Sequence, residues 1–156
     1  MHYLLPILAQ VQSDQVNQQQ AAKILGVLGG VFCVFLVIGL VVMVFYLLTL
    51  QKALTRCSEP NRAMAPGMVW LMLIPLFNLV WHFFVVINMA KSLDAEFKQR
   101  GIAEEPMPGK TLGLAMCILA CCSIIPLVNY LTSVGYLICW IIYWVKIAGY
   151  SSKIAQ

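Results

Sequence analysis

The chain has 156 residues, of which 62% are hydrophobic and only 10% are charged. Since soluble domains carry roughly 25% charged residues, this composition excludes a protein with a polar surface on every side. The net charge of +4 comes from basic residues at the ends of apolar runs, which is typical of membrane topology signals and excludes a nucleic-acid-binding patch. We therefore expect one membrane domain over residues 1–156, with the lipid bilayer as its partner and no nucleic acid.

The chain begins with a Gln-rich polar segment, residues 1–23, followed by an uncharged run over residues 24–50. The apolar start of this segment has no basic n-region and an early Pro6, so we expect it to be retained rather than cleaved. The uncharged run is long enough to cross a bilayer with some tilt. Within it, Gly26 and Gly30 have the GxxxG spacing that predicts close packing against another helix.

A second span is expected over residues 68–90, after a loop rich in proline and basic residues. On one continuous helix, Pro75, Asn78 and His82 would share a polar stripe beside an aromatic stripe that includes Asn88. Pro75 would leave the carbonyl of Leu71 without its helical donor, so this face should turn toward other helices or a lumen.

His82 admits two interpretations. An ionisable group inside a membrane is a candidate haem or metal ligand or a proton relay. It is also a candidate for hydrogen bonding between helices together with Asn78, which we favour because a metal site needs convergent ligands and His2 is the only other histidine. The sequence thus predicts helix packing here and no bound metal or other cofactor.

Residues 91–110 are expected to form a cytoplasmic helix and linker. Asp94 with Lys98 and Glu96 with Arg100 are i,i+4 ion pairs of favourable order, and Gly101 suits a helix C-cap. We expect this helix to project about three turns into water, because its pattern continues that of the second span.

The apolar run over residues 111–147, whose one charge is Lys146 near its end, is too long for one crossing. We predict two short spans, 111–127 and 131–149, completing an all-α four-helix bundle with the spans at 24–50 and 68–90. The alternative is one span with a re-entrant segment. The third span carries a stripe of small side chains that predicts close helix approach. Its members are Gly113, Cys117, Ala120 and Cys121. A soft-metal site at Cys117 and Cys121 is the weaker alternative.

The basic residues predict an orientation. With four crossings, seven Lys and Arg residues lie on the side of both termini and three lie on the other side, so both termini should be cytoplasmic. An aromatic belt with a snorkelling lysine is expected at the same interface. It comprises Trp140, Tyr143, Trp144 and Lys146.

Three segments carry a resemblance to known sequences. The residues from Asn61 to Phe97, "PGKTLGLAMCILACC" and "CWIIYWVKIAGYSSKIA" resemble small multi-span proteins of bacterial inner membranes. The resemblance covers most of the chain after about residue 50. It implies a multi-pass protein of the cytoplasmic membrane, and it implies no activity, ligand or site.

No catalytic motif is present, and the predicted spans contain no Asp, Glu or Arg. Pumps and ion-coupled transporters depend on such buried groups. We therefore expect a non-enzymatic protein that acts by helix packing, as a homo-oligomer or as a small subunit of a larger membrane complex. The alternatives are an oligomeric channel lined by the second span and a haem- or metal-binding redox subunit that uses His82.

Overall fold

A computed structural model describes the backbone of residues 4–155 and the side chains of Gln15 and residues 17–155. These residues form four α-helices, α1 Leu4–Arg56, α2 Phe77–Arg100, α3 Lys110–Cys122 and α4 Asn129–Ile154, and two 3-10 helices, Glu59–Asn61 and Pro66–Leu73. No strand occurs in this part of the chain, so the all-α prediction is confirmed. Contacts divide the chain into two compact units, Met1–Met43 and Val44–Gln156.

The first unit contains the greater part of α1. Every residue from Asn17 to Val41 is exposed, including the large apolar side chains from Ile24 onward. Apolar side chains surround the helix on all sides here, which is typical of a buried helix or a membrane span. No neighbouring atom lies within 4 Å of where a Cβ would stand at Gly26 or Gly30, so the GxxxG face is open in the single chain.

The second unit has a helical core. The end of α1 contributes buried side chains to it. The helix α2 packs on α3, and α3 packs on α4. Its fully buried apolar side chains include Leu47, Leu50, Met72, Val86, Met89, Leu93, Met116 and Ile147. A core of this kind supplies most of the stability of a helical unit, because amphipathic packing outweighs intrinsic helix propensity.

The predicted single helix over residues 68–90 is wrong. A 3-10 helix ends at Leu73, the chain turns at residues 74–76, and α2 begins at Phe77. Pro75 has no N–H for a continuous helix, and Leu76 takes a left-handed φ of 46° at the turn. The carbonyl of Leu71 accepts a bond from Ile74 N at 3.2 Å, so the acceptor that Pro75 was expected to leave free is satisfied locally.

The residues before this turn run back along α2. The Trp81 indole N–H donates to the carbonyl of Met68 at 2.9 Å, and the backbone N–H of Ala63 donates to Ser92 Oγ at 2.9 Å. As the residue number falls on one arm it rises on the other, which defines an antiparallel hairpin. Both arms of this first hairpin therefore begin and end at the same face of the unit.

This geometry corrects the expected orientation. Ser58 and Asn61 lie in the loop that was predicted on the opposite side of the membrane from Glu96, yet both hydrogen-bond to the Glu96 carboxylate. Two segments in direct contact cannot be separated by a bilayer core about 30 Å thick. The prediction that both termini are cytoplasmic rested on four crossings and loses its basis.

The two helices predicted between residues 111 and 149 are present as α3 and α4, and the break between them covers residues 123–128. They also form an antiparallel hairpin. Gly109, at the start of α3, lies against Tyr143 and Ile147, and Leu119 lies against Gly135 nearer the tip. With 13 residues, α3 is about 20 Å long. Two helices of the described chain are long and apolar enough to cross a membrane, Asn17–Arg56 and Asn129–Ile154.

Candidate functional site

His82 lies in the core of the second unit. It is 5% exposed, and its Nε2 lies 3.2 Å from the hydroxyl oxygen of Tyr46 on α1. The Tyr46 ring also packs against Trp140 and Trp144 of α4, with centroid separations of 5.1 and 5.9 Å. His82 therefore joins three helices through a tyrosine, and it belongs to an aromatic cluster within one chain.

The residues of the predicted aromatic belt occupy different environments. Tyr143 is 1% exposed, so its assignment to a belt at the membrane interface is wrong. The indole N–H of Trp144 donates to Thr49 Oγ1 of α1 at 2.9 Å, while Lys146 approaches Glu105 at 3.4 Å. Trp140 and Trp144 are half-buried against Tyr46. Much of the expected belt is thus an internal contact between α1 and α4.

The other polar residues of the predicted second span are not gathered around His82. Pro75 is exposed in the turn, outside α2. The amide of Asn88 donates to the carbonyl of Phe84 on its own helix at 2.8 Å. Asn78 Oδ1 is buried without a hydrogen-bond partner among the described residues. Of the three residues of the expected polar stripe and Asn88 of the aromatic stripe, His82 is the one with a side-chain hydrogen bond to another helix among the described residues.

The small-residue stripe of α3 separates into inner and outer parts. At Gly113 a Cβ would stand 2.4 Å from Val86 Cγ1 and 2.9 Å from Tyr143 Cε2, so only glycine fits without a shift of its neighbours. Cys117 is buried, Ala120 is half-buried and Cys121 is exposed. Val86 of α2 and Tyr143 of α4 therefore both lie close against α3 at Gly113.

A second polar cluster lies at the face where both hairpins begin and end. Glu96 is 1% exposed. Its Oε2 accepts the backbone N–H of Ser58 at 2.8 Å, the Ser58 hydroxyl at 2.5 Å and the Asn61 amide at 2.8 Å. Its Oε1 accepts Arg100 Nε at 2.7 Å, which confirms the predicted i,i+4 pair. The carboxylate therefore ties the loop after α1 to the end of α2.

These bonds determine the protonation of Glu96. Burial acts to raise the pKa of this carboxyl, but hydrogen bonds from Asn61, Ser58 and Arg100 outweigh burial and hold the pKa at about 2. Glu96 is thus ionised throughout the physiological range. The last turns of α2 were expected to project into water, and that expectation is wrong for Ser92, Leu93, Glu96 and Phe97, which are buried.

Two arginine side chains add hydrogen bonds at the same polar face. Arg62 donates to the carbonyls of Leu54, Thr55 and Cys57, at and just after the end of α1, where helix carbonyls lack the donors of a following turn. Arg100 Nη1 also donates to the carbonyl of Ile154 at 2.8 Å, and thereby connects α2 with α4. These roles were missed in the sequence, because no spacing rule indicates which loop arginine will reach a helix end.

The candidate metal ligands of the described chain are His82, Cys117 and Cys121. No group of three or more His, Cys, Asp or Glu side chains there is close enough together to hold a metal ion. Cys117 and Cys121 are free thiols in different environments, one buried and one exposed. His82 has the Tyr46 hydroxyl as its nearest polar partner.

The comparisons with known proteins return no relative: no family model, no curated protein and no solved structure matches the chain. The resemblance to small bacterial inner-membrane proteins therefore stays an expectation. Any functional statement depends on the chain's own geometry.

Proposed function

We propose that this chain is a non-enzymatic integral membrane protein that acts by helix packing, as a homo-oligomer or as a small subunit of a larger membrane complex. The observation that carries the proposal is the uncovered apolar surface of α1 over residues 24–41, where every side chain is exposed. A helix that is apolar on all sides needs lipid or other helices around it. The open Gly26 and Gly30 face is suited to close approach by a second helix.

The proposed membrane arrangement differs from four crossings. α1 crosses once, and the two hairpins enter and leave the bilayer at the same face. The hairpin tips support this arrangement, because Leu76 is 86% exposed and Leu127 is 95% exposed at the end of the unit away from the charged residues. Lipid contact removes the cost of exposing such side chains, which in water is about 25 cal/mol for each Å².

The distribution of positive charge supports the same arrangement. Nine of the ten Lys and Arg residues then follow the crossing of α1, on the side where both hairpins begin and end. Only Lys23 lies before the crossing. Cytoplasmic segments are enriched in Lys and Arg. The polar face around Glu96 is therefore assigned to the cytoplasm, in the cytoplasmic membrane that the resemblance implies.

The packing of His82 favours this proposal over the pore and redox alternatives. A pore lined by the second span needs Asn78 and His82 to face a lumen, whereas His82 is buried by its own chain and lies beside Tyr46. A redox subunit needs further ligands to converge on His82. Neither alternative has a specific observation in its favour.

Assembly in bilayer nanodiscs tests the proposal. We expect the wild-type chain to form oligomers, or to retain a stoichiometric membrane partner, and a Gly26→Leu, Gly30→Leu double variant to lose that association. Gly39→Leu is the matched control, since Gly39 is equally open and lies about 200° round α1 from the other two glycines. Light scattering and native mass spectrometry measure the stoichiometry. A wild-type monomer without any copurifying polypeptide would contradict the proposal.

A further inference from the structure

We propose that a groove between α1 and α4 binds one anionic phospholipid, with the headgroup phosphate held by Lys52 and Arg56. The inference rests on the proposed membrane arrangement and adds a lipid class to it. The groove has a volume of about 300 Å³ and lies wholly within the second unit. It is lined by Phe45, Leu48, Thr49, Lys52, Arg56, Ala148, Ser151 and Ser152.

The lining changes from apolar to cationic along α1. Phe45 and Leu48 are exposed apolar side chains at one end, and Lys52 and Arg56 follow one and two turns later at the cytoplasmic end. A phospholipid presents the same order, since its acyl chains adjoin a phosphate at the membrane surface. Thr49, Ser151 and Ser152 add hydroxyl oxygens to the lining, and those of Thr49 and Ser152 donate their protons to carbonyls of their own helices.

Charge complementarity selects the occupant. No acidic side chain lines the groove, and within the described residues no carboxylate is paired with Lys52 or Arg56. Four other cations of this face, Lys98, Arg100, Lys146 and Lys153, pair with acids. Arg62, Lys91 and Lys110 also lack an acidic partner among the described residues, but Lys52 and Arg56 are the two such cations that line one groove together.

Arg56 is already held in position for such a role. Its Nη1 donates to the carbonyl of Ser151 at 2.7 Å and to Ser151 Oγ at 2.9 Å, which leaves its remaining N–H groups for a ligand. The end of a helix carries partial negative charge that would oppose an anion. Arg62 donates to three carbonyls at the end of α1 and offsets that charge.

Native mass spectrometry of the full chain in neutral detergent tests the inference, with phosphatidylglycerol and phosphatidylcholine of identical acyl chains as the probes. We expect the wild type to prefer phosphatidylglycerol and Lys52→Gln to lose about fivefold of that preference, as expected for one cation near a membrane surface. Lys91→Gln is the matched control, because it removes one exposed positive charge from the same face outside the groove. Equal preference in the wild type, or an equal loss in both variants, would overturn the inference.

Two further experiments distinguish a lipid site from an ion site, and a failure of the lipid site from a failure of the membrane proposal. Competition by inorganic phosphate at the concentration of the lipid would show an ion site instead of a lipid site, and would also overturn the inference. Carbonate extraction of cell membranes reports on the proposed function alone. A chain that resists extraction but shows no preference for phosphatidylglycerol refutes only the lipid site, whereas a chain that is extracted refutes the membrane proposal itself.

Discussion

His82 and Glu96 lie on the same face of α2, about 21 Å apart along its axis. Both are buried, yet the protein satisfies them differently. The neutral aromatic cluster gives His82 a single polar partner, the Tyr46 hydroxyl. The polar face gives Glu96 two donor groups of Ser58, the amide of Asn61 and the guanidinium of Arg100. The same face of α2 therefore passes from an apolar interior at His82 to a charged surface at Glu96. The two positions differ in the number of hydrogen-bond donors around the buried side chain.

Cysteine labelling tests most directly whether the polar face around Glu96 lies in water and the hairpin tips lie in the bilayer. Each position should be either labelled or not labelled. In a cysteine-free variant we introduce one cysteine at a time at Pro60, Ala103 or Leu127, each of which is exposed. A membrane-impermeant maleimide should label positions 60 and 103 from the same side of sealed vesicles. It should label position 127 from neither side, because α3 is about 20 Å long and does not carry the tip across a core about 30 Å thick. The longer α4 extends past the start of α3, where Lys153 pairs with Glu104 outside the core.

The four-crossing arrangement gives a different result. It places residues 60 and 103 on opposite sides of the membrane, so labelling of one from inside and the other from outside would refute the hairpin arrangement. Detergent permeabilisation provides the control, because all three cysteines should react once the bilayer is removed.

Substitution of Glu96 should have the next largest effect. Glu96→Ala leaves the donors of Ser58, Asn61 and Arg100 without their acceptor at a buried position. We expect a loss of roughly 3 kcal/mol in the free energy of unfolding, measured by denaturation in mild detergent. Glu59→Gln is the control, because Glu59 is an exposed acid in the same loop. Equal stability of the Glu96 variant and the wild type would place the polar face outside the folded core.

Acid titration should report the same carboxylate. The pKa of Glu96 is about 2 in the fold against 4.5 for an unperturbed glutamate, so its ionised form is favoured by folding. The sign follows from linkage: this contribution is complete above pH 4.5 and is lost as the pH falls toward 2. The melting temperature of the wild type should fall over that interval, and Glu96→Gln should remove this part of the pH dependence.

Glycine substitutions compare the interior with the helix surface and should have a smaller effect. Gly113→Ala brings a methyl group against Val86 and Tyr143, so we expect a loss of about 2 kcal/mol in the free energy of unfolding. Gly149→Ala meets no neighbour within 4 Å, so the gain in helix propensity should stabilise the protein by up to about 1 kcal/mol. Shifts of the same sign in the two variants would contradict the close packing of α3.

The sequence predicted the helical class and the main helices, because long apolar runs and i,i+4 pairs depend on local spacing. It did not predict the hairpin at Pro75, since Pro75 is compatible both with a kinked helix and with a break between two arms. The direction of the chain after Leu73 depends on contacts between the two arms, such as that between Trp81 and Met68. These residues are too far apart in the sequence for a local pattern to predict their contact.

The burial of Glu96 did have a signal in the sequence. The stripe that contains His82, Val85 and Met89 continues at the same helical spacing through Ser92 to Glu96. Reading the charges after Lys91 as the start of a solvated helix ended that stripe too early. The donors supplied by the loop after α1 could not be inferred, because a polar loop has no periodicity that fixes where its side chains lie.

The smallest predicted effect concerns the aromatic cluster itself. Tyr46→Phe keeps the ring packed against Trp140 and Trp144 but removes the only polar partner of His82 among the described residues. We expect a loss of about 1 kcal/mol in the free energy of unfolding. Tyr130→Phe, which removes the hydroxyl of an exposed tyrosine on α4, should have no effect.

Combining Tyr46→Phe with His82→Leu should recover much of the loss, because replacing both partners by apolar groups leaves no polar atom unsatisfied. A double variant whose loss equals the sum of the single losses would mean that Tyr46 and His82 do not interact, and α1 would then pack on α2 through its apolar side chains alone.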